Sequence, residues 1–287
     1  MTTTTLETPE AALVHDVRGP LPAADGRPPL FLVGAPMDAS GFGTLARHFA
    51  DRTVITYDPR GLGRSTRKDG RTTHTPQQNA DDIHRVIEAV GGPVDLFGSS
   101  GGAISGLALV AAHPGDVRRL VAHEPPLLTV LPDADRATAA TRAVQEIYQA
   151  KGWGHGMAAF IAMTSWQGEF TDDYAATAAP DPATFGMPGE DDGSRDDPLL
   201  SHDSDAVTAY RLDVPALTAA PTRIVVAAGI ESKDTLTWRT AVATAEALGQ
   251  EISVFPSHHG GFLGGEFGQQ GDPEAFAARL REVLGEG

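Results

Sequence analysis

There is no cysteine in this chain. Disulfides, thiolate catalysis and cysteine-ligated metals are therefore excluded. Positive charge is also short. Lys and Arg number 22 against 38 Asp and Glu, which leaves a formal charge of −16. Such a field repels phosphate backbones, so nucleic-acid binding is disfavoured, and the charge is read first as a source of solubility. No run approaches 18 consecutive apolar residues, so no membrane span is expected. The opening MTTTTLETPEAALV has no basic stretch and no apolar core, so it does not read as a secretory signal. Its threonines are expected to fray. There is no internal repeat. These absences together point to a cytoplasmic protein.

What is present fits an ordinary globular protein. The chain has 287 residues, 41% of them hydrophobic and 21% charged, enough for one large domain or two small ones. Short apolar runs alternate with amphipathic stretches. Strands are expected at Pro28–Gly34, Thr53–Tyr57, Val94–Phe97, Leu120–Ala122, Thr222–Ala228 and Ile252–Phe255. Helices are expected at Gly41–Ala50, Thr75–Val90, Gly101–His113, Leu236–Leu248 and Pro273–Leu284. This alternation predicts an α/β fold whose mostly parallel sheet is flanked by helices on both faces. The middle breaks the pattern. Asp133–Ala150, Gly156–Trp166 and Asp203–Leu212 have helical character, and Pro180–Asp205 is acidic and rich in Pro and Gly. The division expected is a core of 1–125 and 216–287 with a helical cap or lid inserted at 126–215.

The sharpest local signal is Gly98-Ser99-Ser100-Gly101-Gly102, a G-x-S-x-G with Ser100 at its centre. The pattern alone is weak in a chain with 32 glycines. Its context is specific, because it follows an expected strand and opens an expected helix, as a nucleophile elbow requires. A serine nucleophile needs a base. His259, in FPSHHGGF between the last strand and the last helix, would rise from the same sheet edge; His258 is its competitor. The base needs a carboxylate to fix its tautomer. Glu124, in VAHEPPLL directly after a buried strand, is the first candidate, since a charge there needs a partner. Glu231 is the alternative acid, followed by Asp234. Oxyanion donors are expected from the backbone N–H groups of Gly101 and Ala35, with Met37 in reserve because Pro36 has no N–H. Nothing in the sequence asks for a metal or a cofactor.

These residues resemble the α/β-hydrolase superfamily over nearly the whole chain. The elbow GSSGG is one signature. The second is Tyr57–Ser65, YDPRGLGRS, which is similar to that family's D-x-R-G-x-G-x-S turn after the fourth strand. The third is the late histidine loop, and the order Ser, acid, His also agrees. An acid at Glu124 is similar in placement to zearalenone-type lactonases. The family's usual Gly-x-x-Asp after the seventh strand would put Ser232 where the acid belongs, which again turns the choice to Glu124. The usual His-Gly before the oxyanion turn is Val33-Gly34 here. Dehalogenase and epoxide-hydrolase chemistry would need Asp in place of Ser100.

The function expected is hydrolysis of a carboxylic ester or lactone of a small, mostly apolar substrate, through an acyl-enzyme and without a cofactor. Trp153, Met157, Phe160 and Trp166 of the insertion are expected to line an apolar pocket, with Met163, Phe185 and Met187 as further apolar cover. The partner expected is a small-molecule substrate and, at most, a second copy of the chain in a homodimer. Two rivals are a non-hydrolytic enzyme on the same fold, such as a lyase, cofactor-free oxygenase or perhydrolase, and a catalytically silent ligand-binding protein.

Overall fold

Alternation along the strands determines how the layers assemble. Leu30 and Leu32 face one apolar cluster, while Phe31 and Val33 face another. Leu96, Leu120 and Ala122 likewise oppose Phe97 and Val121. A strand that is apolar on both sides is stable only between two helical layers. The computed structural model, which describes residues 1–286, has that architecture.

The strands are β1 (Thr2–Glu7), β2 (Ala11–Arg18), β3 (Leu30–Ala35), β4 (Val54–Tyr57), β5 (Thr66–Arg67), β6 (Val94–Ser100), β7 (Val117–His123), β8 (Arg223–Gly229) and β9 (Ser253–Phe255). Their order in the sheet is β1-β2-β4-β3-β6-β7-β8-β9, with β5 paired to β2. From β4 to β9 the pairing is parallel, and β1, β2 and β5 add an antiparallel edge. The helices are α1 (Gly43–Arg47), α2 (Pro76–Val90), α3 (Gly101–Ala112), α4 (Ala134–Lys151), α5 (Trp153–Ser165), α6 (Asp172–Ala175), α7 (Asp205–Thr208), α8 (Val214–Ala219), α9 (Leu236–Ala247) and α10 (Pro273–Leu284). α1 and α10 cover one face; α2, α3 and α8 cover the other, and α9 packs on β8. Each fully buried Leu or Phe in these layers contributes about 1.5–3 kcal/mol.

The chain runs outward from β3 to β4, then returns to the far side of β3 as β6. That reversal is a topological switch point at the carboxyl ends of β3 and β6, the place where open α/β sheets bind ligands. Ala35 and Ser100 are paired across it. Between β7 and β8 the chain leaves the sheet as a helical insertion carrying α4 to α7. The insertion has its own apolar cluster, built on Leu131, Val144, Tyr148, Met163, Phe170 and Leu200, and it borrows Leu236 from α9.

Several local expectations are corrected. Thr2–Glu7 does not fray but pairs along its length with β2, because β-branched threonines suit an extended edge. The stretch 41–50 is a short 3-10 turn followed by one turn of α1, and Asp203–Leu212 is mostly irregular around α7. α8 had no periodic signal of its own; Asp213 caps it by accepting from the Ala216 N–H. Among the described residues no helix is long and apolar enough to cross a membrane.

Candidate active site

The elbow is tight because side chains are missing where β6 and α3 cross the neighbouring backbone. A Cβ at Gly98 would lie 2.6 Å from the Gly102 carbonyl oxygen, and one at Gly102 would lie 2.3 Å from that of Val33. Ser100, between them, takes φ 57° and ψ −127°. A non-glycine residue held there carries strain on the order of 1–3 kcal/mol. The conformation puts the serine at the point where the strand ends and the helix begins.

β7 ends beside it. Ser99 is paired with His123, and Glu124 follows with φ 48°. The Glu124 N–H donates to the Ala227 carbonyl, so β8 fixes the turn. Its carboxylate is fully buried. Oε1 accepts from the Gly229 N–H at 2.9 Å, and Oε2 accepts from Thr237 Oγ1 and His259 Nδ1, both at 2.6 Å. Burial pushes the carboxyl group upward. The hydrogen bond and charge of His259, with the hydrogen bond from Thr237, outweigh it and hold the carboxyl well below the usual carboxylate range. An ionised Glu124 keeps the proton of His259 on Nδ1 and leaves Nε2 as the basic nitrogen. Among the described residues Ser100 Oγ is not hydrogen-bonded to His259. Both follow the carboxyl ends of their strands, and it is the Glu124–His259 pair that is joined.

The competitors fall elsewhere. His258 is tied to its own loop, with Nε2–H donating to the Gln270 carbonyl and Nδ1 accepting from the Gly260 N–H. Glu231 and Asp234 are exposed, and neither pairs with His259. Ala35 and Gly101 flank Ser100 closely; a Cβ on Gly101 would lie 2.7 Å from the Ala35 carbonyl oxygen. The Met37 side chain packs against Gly34 and Gly41. The D-x-R-G-x-G-x-S turn supports this loop from below. Asp58 Oδ1 accepts from the Ala39 N–H at 3.0 Å, Ser65 Oγ bridges the Val14 N–H and the Asp58 carbonyl, and buried Arg60 forks onto Asp82.

Trp153, Met157, Phe160 and Trp166 are half-buried and pack on the insertion's own cluster. The Trp153 indole N–H donates to Asp197, and Trp166 meets Tyr174 edge-on. Met163 is buried, and Phe185 is exposed. From the insertion, Val207 lies beside the elbow, its Cγ1 3.2 Å from where a Cβ on Gly101 would be. Sequence reasoning missed Val207, Thr237 and His123. The first two carry no local signal. His123 was visible beside Glu124, but its burial was not.

A scan against family models matches residues 30–279 to the alpha/beta hydrolase family. The chain belongs to that family. Among curated proteins it is 29% identical, over 264 residues, to the uncharacterized hydrolase YraK of Bacillus subtilis, covering 90% of this chain and 89% of that one. Among solved structures it resembles a thermophilic esterase from Thermogutta terrifontis, with TM-score 0.65, 21% identity and coverage of 100% and 99%. An alpha/beta hydrolase from Sphaerobacter thermophilus gives TM-score 0.62, 22% identity and coverage of 98% and 100%. At these identities the structural likenesses speak to the fold, and the α/β-hydrolase chain is a hydrolase at that level of description.

Proposed function

We propose that this α/β-hydrolase cleaves carboxylic esters or lactones of small, mostly apolar substrates through an acyl-enzyme, with no cofactor. The observation that carries the reading is the 2.6 Å bond from His259 Nδ1 to the buried Glu124 carboxylate, at the sheet edge that also bears Ser100. Ser100 Oγ attacks the carbonyl carbon as His259 Nε2 takes its proton. Glu124 stabilises the imidazolium that results. The N–H groups of Ala35 and Gly101 receive the oxyanion. His259 returns the proton to the leaving alcohol, and water activated by the same nitrogen then releases the acid. In this reading residues 1–125 and 216–287 form the catalytic core and 126–215 the cap, with Val207 beside the elbow.

A fluorophosphonate probe followed by a panel of aryl esters and lactones tests it. Ser100→Ala is expected to abolish labelling and to lower kcat by about 10³-fold or more while the fold persists. Labelling that survives on Ser99 or Ser105 would overturn the nucleophile. Labelling of Ser100 without turnover of any panel member would replace hydrolysis by one of the non-hydrolytic readings.

A further inference from the structure

A second cluster of chemistry-bearing side chains lies at the opposite end of α3 from Ser100. Helix α3 has 12 residues, and at 1.5 Å per residue its ends are about 18 Å apart. His113 caps its C-terminal end. His84, on α2, stacks flat on His113, with ring centroids 3.8 Å apart and planes within 7°. Asp116, in the turn leading to β7, places Oδ2 2.6 Å from His84 Nδ1. One ligand atom from each of His84, His113 and Asp116 lies within 4.8 Å of the others.

We propose that His84, His113 and Asp116 bind a divalent transition-metal ion, of which Zn²⁺ is the natural probe. Two imidazole nitrogens and one carboxylate are a donor set that suits zinc, with a fourth position left for water. The surroundings support that use. Glu88 lies 3.6 Å from His84 Nε2, and Asp81 lies 3.5 Å from His113 Nε2. Each ring thus has an acidic neighbour at ion-pair distance from Nε2, which suits the site to a cation, and an ion entering at His84 Nδ1 would take the place of the proton now shared with Asp116. Among the described residues no Lys or Arg pairs with Asp81, Glu88 or Asp116. Three carboxylates therefore face two imidazoles with no permanent cation, in a chain of charge −16. The Asp116 turn is rigid, since its N–H donates to the His113 carbonyl and its own carbonyl accepts from Val94. In the parallel stack the two rings' in-plane lone pairs do not converge, so the proposal requires one imidazole to turn out of the stack as the ion enters. The bound ion would clamp α2, the end of α3 and the start of β7 without touching the Ser100 chemistry.

Titrating the purified protein with ZnCl₂ in a calorimeter tests this, with Co²⁺ absorption reporting the coordination. One equivalent of Zn²⁺ is expected, with a rise in Tm, and Co²⁺ should give the visible band of a four-coordinate nitrogen–oxygen site. His113→Asn and His84→Asn should each weaken binding by roughly 100-fold. Asp116→Asn is the companion variant should either fold poorly. Ester turnover is expected to be equal with and without the ion. Absence of stoichiometric binding would overturn the site. So would binding that survives all three substitutions, or that is lost in His259→Asn instead.

Discussion

At the scale of single residues, the proposed acid is the most informative position. Glu124 is buried with three donors on its carboxylate, whereas Glu231 is exposed. Glu124→Gln should reduce kcat by about 10²–10⁴-fold, because the amide no longer fixes the tautomer of His259. Glu231→Gln should leave steady-state kinetics close to those of the parent, and the reverse ranking would move the acid to the turn after β8. His123 makes a separate prediction. It is fully buried among Phe97, Phe255 and Phe276, and among the described residues neither ring nitrogen has a partner. Burial lowers its pKa to about 4, against the weaker upward pull of Glu124. The native imidazole therefore stays neutral while the unfolded one takes a proton near its ordinary value of about 6.5. The unfolded state then binds more protons between those values, so stability falls as pH drops through that window. Between pH 7 and pH 4 the parent should lose roughly 3 kcal/mol more than His123→Phe in denaturant titrations. Equal losses would show that His123 does not drive the acid sensitivity. Glu124, whose carboxyl is depressed in the native state, adds its own loss at still lower pH.

At the scale of elements, the strand–helix crossing at the elbow is the least forgiving packing in the site. Gly102→Ala would bring a methyl carbon to 2.3 Å from the Val33 carbonyl oxygen, on backbone that has no flexible side chain to move aside. The expected destabilisation is about 1–3 kcal/mol, from overpacking, with activity falling alongside it as α3 is pushed from β3. Gly115→Ala serves as a control, because a Cβ there meets nothing within 4 Å. Equal melting temperatures for the two variants would contradict the crossing as described.

At the scale of the whole molecule, charge and the proposed cap together bear on substrate choice. The chain carries −16, and the insertion holds an apolar cluster of its own. A neutral ester should have a higher kcat/KM than a carboxylate-bearing ester of matched size, and added salt should narrow the gap by screening the repulsion. Preference for the anionic member would count against the proposed substrate class.

Local sterics and periodicity were readable from the sequence. Two-sided apolar strands required helices on both faces, and a serine among glycines between strand and helix marked the elbow. The order of Ser100, Glu124 and His259 along the chain was equally plain. Long-range packing decided the rest. Glu124 and His259 are 135 positions apart, and only the packing of β7 beside β8 put Glu124, rather than Glu231, under the imidazole. The choice of His259 over His258 rested on which ring the loop backbone had already engaged. The pairing of β1 with β2, the caged His123 and the meeting of His84 with His113 have the same origin. Each depends on a partner contributed by a distant segment, and no local pattern encodes which distant segment that will be.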